Sequence, residues 1–61
     1  LARKVSYEAD SPKKGMSLKE LLDNVNEAVG LAKINEKPLE DSKVTVFVNF
    51  GGGVKQLIVE V

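Results

Sequence analysis

The sequence predicts a small α+β domain with element order β-α-β-β, a three-stranded sheet with one helix packed on one face. Three observations carry this. "RKVSYEA" alternates apolar and polar residues. "MSLKELLDNVNEAVG" repeats apolar residues at helical spacing behind a cap. "KVTVFVNF" and "VKQLIVEV" alternate on either side of three glycines. With 61 residues, the whole span 1–61 reads as one domain.

In the first strand Val5, Tyr7 and Ala9 point one way, and Lys4, Ser6 and Glu8 the other. Asp10, Ser11 and Pro12 stop it, because they are turn formers and Pro12 cannot continue a ladder. The helix opens at Ser17, with Glu20 three residues on, which makes the capping box S-L-K-E. Met16 and Leu21 have the spacing of a hydrophobic staple. Leu18, Leu21, Leu22, Val25, Ala28, Val29 and Ala32 form the apolar stripe. Lys19, Asp23, Asn26, Glu27 and Lys33 fall on the wet side. Gly30 suits the C′ position of a Schellman end with Leu31 packing back, while Ala32 keeps the period and carries the helix to about Lys33.

"INEKPLEDS" is a polar connection, and Pro38 biases Lys37 away from helix. The next two strands form a hairpin whose register follows from face matching, because a one-residue slip would send every apolar side chain to water. A loop of Gly51 to Gly53 mixes core with surface. Gly51-Gly52 pairs Val46 with Leu57, Val44 with Val59 and Lys43 with Glu60. Gly51 to Val54 pairs Val48 with Leu57 and Val46 with Val59. Either even loop puts Val44, Val46, Val48, Leu57, Val59 and Val61 under the helix, with Phe50 on the same side. The first strand pairs with one of the other two.

Composition removes several function classes. Nine basic and nine acidic residues balance to zero, so the basic field of a nucleic-acid binder is missing overall. Without Cys or His there is no disulfide, no thiolate site and no usual general base near neutral pH. No apolar run approaches a membrane span. "LARKVSYEAD" lacks the apolar core of a signal peptide, and the absence of Cys fits a cytoplasmic, reducing setting. The chain begins with Leu1 rather than Met, which leaves its true N-terminus open. A chain this short is marginal alone, since ordering costs about 1.5 kcal/mol per residue. Self-association is the remaining way to stabilise it.

Each candidate site has a plainer structural explanation. The glycine run fits neither the P-loop pattern nor the dinucleotide fingerprint, both of which open a helix. It joins two strands and reads as a hairpin turn. Its spare glycine would allow close approach of a second chain. "KKGMS" brings Lys13 and Lys14 to a helix N-terminus, where anions bind, yet Ser17 and Glu20 already satisfy that end. Asp23 with Glu27, and Glu36, Glu40 and Asp41, form no recognised cation loop. No serine sits in a nucleophile elbow, and a triad would lack its histidine. An N-terminal proline catalyst of the small tautomerase kind is absent, as is the tryptophan that flavin-stacking dodecins use. No cofactor is expected.

Phe47 and Ile58 stand on the sheet face away from the helix, among Thr45, Asn49, Gln56 and Glu60. With Gly52 and Gly53 they form the candidate interface of a homodimer. The C-terminal strand could instead pair edge to edge with its mate. The runner-up is nucleic-acid binding or regulation through Lys13, Lys14, Lys43 and Lys55, with Phe47 as a stacking aromatic.

The segment "MSLKELLDNVNEA…VTVFVNFGGGVKQLIVEV" resembles small uncharacterised proteins of actinobacteria and their phages and prophages. The shared look is a Met-Ser/Thr-Leu helix start, an alternating Val strand, a Gly-containing turn and a terminal V-E-V-like run. It covers about two-thirds of the chain. The resemblance implies a phage accessory or interaction protein and transfers no site residue. The expected function is a small non-enzymatic protein-interaction module that self-associates.

Overall fold

A computed structural model describes residues 3–61. Strand β1 (Lys4–Glu8) leads to helix α1 (Leu18–Ile34). A 3-10 turn (Leu39–Asp41) then precedes strands β2 (Val44–Val48) and β3 (Val54–Glu60). The sheet order is β1-β3-β2, and both pairings are antiparallel. The C-terminal strand is therefore central, so it has no edge to offer a second copy. The two edges belong to β1 and β2.

Local chemistry sets the helix ends. The Ser17 side chain accepts from the Glu20 amide at 3.1 Å, and Glu20 Oε1 accepts from the Ser17 amide at 3.3 Å, which closes the capping box. The second Glu20 oxygen takes the Asp10 amide at 3.2 Å and ties the incoming turn to the helix. The helix runs straight through Gly30. It ends in a Schellman arrangement at Glu36, whose φ is +58°. There the Lys37 amide donates to Ala32 C=O at 2.8 Å and the Glu36 amide to Lys33 C=O at 3.1 Å. The αL position falls on a glutamate rather than a glycine because Pro38 blocks further helix two residues on.

The core is thin. Ala28 and Ala32 of the helix pack on Leu57, Val59 and Val61 of the central strand, with Val5, Tyr7, Met16, Leu21 and Leu31 around them. The Tyr7 hydroxyl is buried there with no hydrogen-bond partner among the described residues. Its pKa is raised by desolvation and, to a lesser degree, by the Glu27 carboxylate.

The hairpin register is even along most of its length: Val44 faces Val59, Val46 faces Leu57 and Phe47 faces Gln56. A bulge then intervenes, and Val48 faces Val54, which leaves Lys55 as the extra residue. The loop closes neither with two residues nor with four. Asn49 donates its amide to Gly53 C=O at 2.9 Å, so the connection is Phe50, Gly51 and Gly52. The Gly52 amide returns to Asn49 C=O at 3.1 Å, and Gly52 takes φ +84°. This is the three-residue hairpin with a left-handed closing residue. Because the bulge absorbs one residue, Phe50 becomes the loop tip. It stands fully in solvent instead of facing the core.

Candidate functional site

The parity of the ladder decides what each edge offers. The Glu60 amide donates to Lys43 C=O at 2.9 Å. In an antiparallel pair such bonds recur at alternate residues. Lys43, Thr45 and Phe47 thus aim their backbone groups at β3, and Val44, Val46 and Val48 aim theirs at the open edge. On the other side, the Ala9 amide donates to Lys55 C=O at 2.9 Å and the Val61 amide to Arg3 C=O at 2.8 Å. By the same parity, Lys4, Ser6 and Glu8 line the open edge of β1.

The side chains over β2 are uncovered. Val44, Val46 and Val48 share the helix face with Leu57 and Val59, yet remain 54%, 46% and 56% exposed. The helix leans on β3 through its alanines and leaves Leu18, Leu22 and Val25 in solvent. Between α1 and β2 runs an apolar cleft of about 150 Å³, lined by Val25, Val29, Leu39 and Val44 above Leu57 and Val59. That volume falls short of the roughly 300 Å³ at which small-molecule pockets begin. At the hairpin end a second, wider cleft gathers Phe50, Val48, Pro12, Lys13 and Lys55. The two clefts lie toward opposite ends of β2, and the exposed Val46 stands between them, so apolar side chains follow the whole unpaired strand. Total accessible surface is 4623 Å². The size scaling for a compact monomer of 6.6 kDa gives about 3,900 Å². The excess of several hundred Å² approaches what one partner of a standard interface brings, about 800 Å².

Phe47 and Ile58 do share the face away from the helix, Phe47 opposite Gln56 and Ile58 opposite Thr45 and Ser6. Phe47 is exposed and Ile58 half-buried. Their neighbours on that face are polar, and Gln56 donates to the Ser6 hydroxyl at 2.8 Å. Gly52 sits in the open loop. Gly53 does meet another backbone at close range, and that backbone is its own chain. A Cβ on Gly53 would lie 2.7 Å from Lys14 C=O. One on Gly15 would lie 2.8 Å from Gly53 Cα.

Asn49 locks this contact, a role its place in an alternating strand did not suggest. Its Nδ2 donates to Pro12 C=O at 3.0 Å and Lys13 C=O at 2.8 Å, and its Oδ1 accepts from the Gly53 amide at 2.8 Å. An asparagine two residues before a glycine run was the available signal, since its amide can cap a turn.

Of the lysines, Lys13 and Lys55 meet at the Phe50 cleft. Lys14 lies on the neighbouring turn, and Lys43 lies at the opposite end of β2. Among the described residues, no group of three His, Cys, Asp or Glu side chains could hold a metal ion. No helix among them is long and apolar enough to cross a membrane. No family model, curated protein or solved structure matches the chain.

Proposed function

We propose that the chain is a small, non-enzymatic protein-interaction module that works by self-association in a cytoplasmic setting. The observation that carries this reading is the apolar tract formed by α1 and β2 beside an unpaired, uncharged strand edge. Leaving that tract in water forgoes about 25 cal/mol for each Å², in a chain whose buried core includes three alanines. A phage accessory role belongs to the same reading and rests on the sequence resemblance. Sedimentation equilibrium over a wide concentration range tests the proposal. Reversible dimerisation is expected; a monomer at the highest attainable concentration overturns it.

A second reading has its own support. Phe50 is fully exposed at a cleft shared with Lys13 and Lys55, the combination that stacks on unpaired bases. It replaces Phe47 as the stacking aromatic. Binding of random single-stranded DNA or RNA that weakens as salt rises would favour this reading, and no binding at low salt removes it.

A further inference from the structure

We infer that the occupant of the bare edge is β2 of a second copy, paired antiparallel about Val46, so that the two sheets fuse into one of six strands. This rests on the self-association reading and specifies its geometry.

The backbone selects the register. Val44, Val46 and Val48 present their N–H and C=O groups outward, so only registers that set even-numbered residues opposite one another form a hydrogen-bonded ladder. Among these, centring on Val46 pairs the whole strand: Val46 with Val46, and Val44 with Val48 of the mate. Shifting the centre by one residue in either direction leaves a valine at each strand end without a partner in the mate strand. β2 carries no charge and no proline, so nothing along it resists pairing.

Side chains agree with this register. A two-fold axis normal to the sheet keeps both helices on one face. The six valines then form a continuous row on the helix face, with Val25 and Val29 of each helix at the cleft beside Val44. On the opposite face Thr45 of each copy meets Phe47 of the other, which makes Phe47 an interface residue while Ile58 stays one strand away. Phe50 reaches the level of Ser42 in the mate, beside the half-exposed Leu39. Charge follows the same pattern: the hairpin end of one copy, with Lys13 and Lys55, lies along the mate's 3-10 turn, with Glu40 and Asp41.

The chain lacks cysteine, so single cysteines report pairing cleanly. In a hydrogen-bonded antiparallel pair the Cα atoms stand about 5.5 Å apart, within the range a disulfide spans. Oxidised Val46→Cys should run as a covalent dimer, whereas Ser6→Cys on the β1 edge and Ile58→Cys on the far face should remain monomeric on a denaturing gel. Val46→Pro removes an outward N–H and spares every bond to β3, so it should stay folded and dimerise at least about tenfold more weakly. Should that variant not fold, amide exchange of the unaltered protein decides. Concentration-dependent protection of Val44, Val46 and Val48 supports the pairing, and fast exchange at every concentration overturns it. A dimer that cross-links through Ser6→Cys or Ile58→Cys, or one that survives Val46→Pro, overturns the geometry while self-association stands. A monomer under all conditions removes both.

Discussion

The two edges of this sheet are built from strands of equal length and opposite design. Along β1, the residues whose backbone faces the open edge are Lys4, Ser6 and Glu8, so charge flanks the exposed donors and acceptors. Along β2 they are Val44, Val46 and Val48. Natural sheets guard edges with charge, proline or irregularity, because an unguarded edge is a template for another strand. β1 follows that practice and β2 does not. The packing above each edge differs in the same sense. Val5 and Tyr7 of β1 pack against the core, and Ala9 is buried. On β2, Val44 lines one open cleft and Val48 another, and Val46 between them is exposed. One edge is finished as surface and the other retains the composition of an interior.

Four substitutions sharpen that contrast. The largest effect belongs to Thr45→Pro. By ladder parity Thr45 turns its amide inward to β3, so proline there removes a sheet bond and should cost about 3 kcal/mol or more, enough to unfold a chain this small. Thermal or urea denaturation against Val46→Pro, one residue away, reads the difference directly. Next comes Gly15→Ala. It places a Cβ against Gly53 and sets alanine at φ +82°, so a loss of about 2–3 kcal/mol in urea denaturation is expected. Asn49→Ala removes the amide that joins the Pro12–Lys13 turn to the hairpin. Its expected cost is about 2 kcal/mol, with faster amide exchange at Gly53 as the local signature.

Tyr7→Phe is the mildest, and its sign is opposite. It deletes a buried hydroxyl that has no partner among the described residues and should stabilise by up to about 1 kcal/mol. The folded-state pKa of Tyr7 is raised, chiefly by desolvation and secondarily by Glu27. The unfolded chain therefore releases this proton first, and stability falls as pH rises through about 10. Denaturation midpoints measured on either side of that pH should show the fall in the parent and lose the Tyr7 part of it in Tyr7→Phe.

Where structure depends on neighbours in the chain, the residues announced it. Ser17 and Glu20 marked the helix start, and alternation marked all three strands and which face of each is apolar. Matching apolar faces left two registers open, and the structure takes the one that pairs Val44 with Val59 and Val46 with Leu57. What depends on distant residues was hidden. Gly30 offered a helix end that Ala32 overrode once the sheet supplied something to pack on. The bulge at Lys55 changed the loop length and turned Phe50 outward, and nothing in "NFGGGVKQ" alone distinguishes that from a shorter turn. The purpose of Gly53 lay about forty residues upstream, in the Lys14–Gly15 backbone it accommodates. Sequence reasoning left the partner of the first strand open and offered the C-terminal strand as a pairing edge, whereas β3 is central. It therefore placed the candidate interface at Phe47 and Ile58 on the far face and did not single out the outward backbone of Val44, Val46 and Val48.

Placing β3 between its two predecessors also sets a timetable for synthesis. A ribosome delivers β1, then α1, then β2, and none of them can join the sheet until the strand that bridges them has been made. Until β3 arrives, Val44, Val46 and Val48 have no inner partner either. Formation of the sheet thus waits on its last strand, and both ladders assemble around β3.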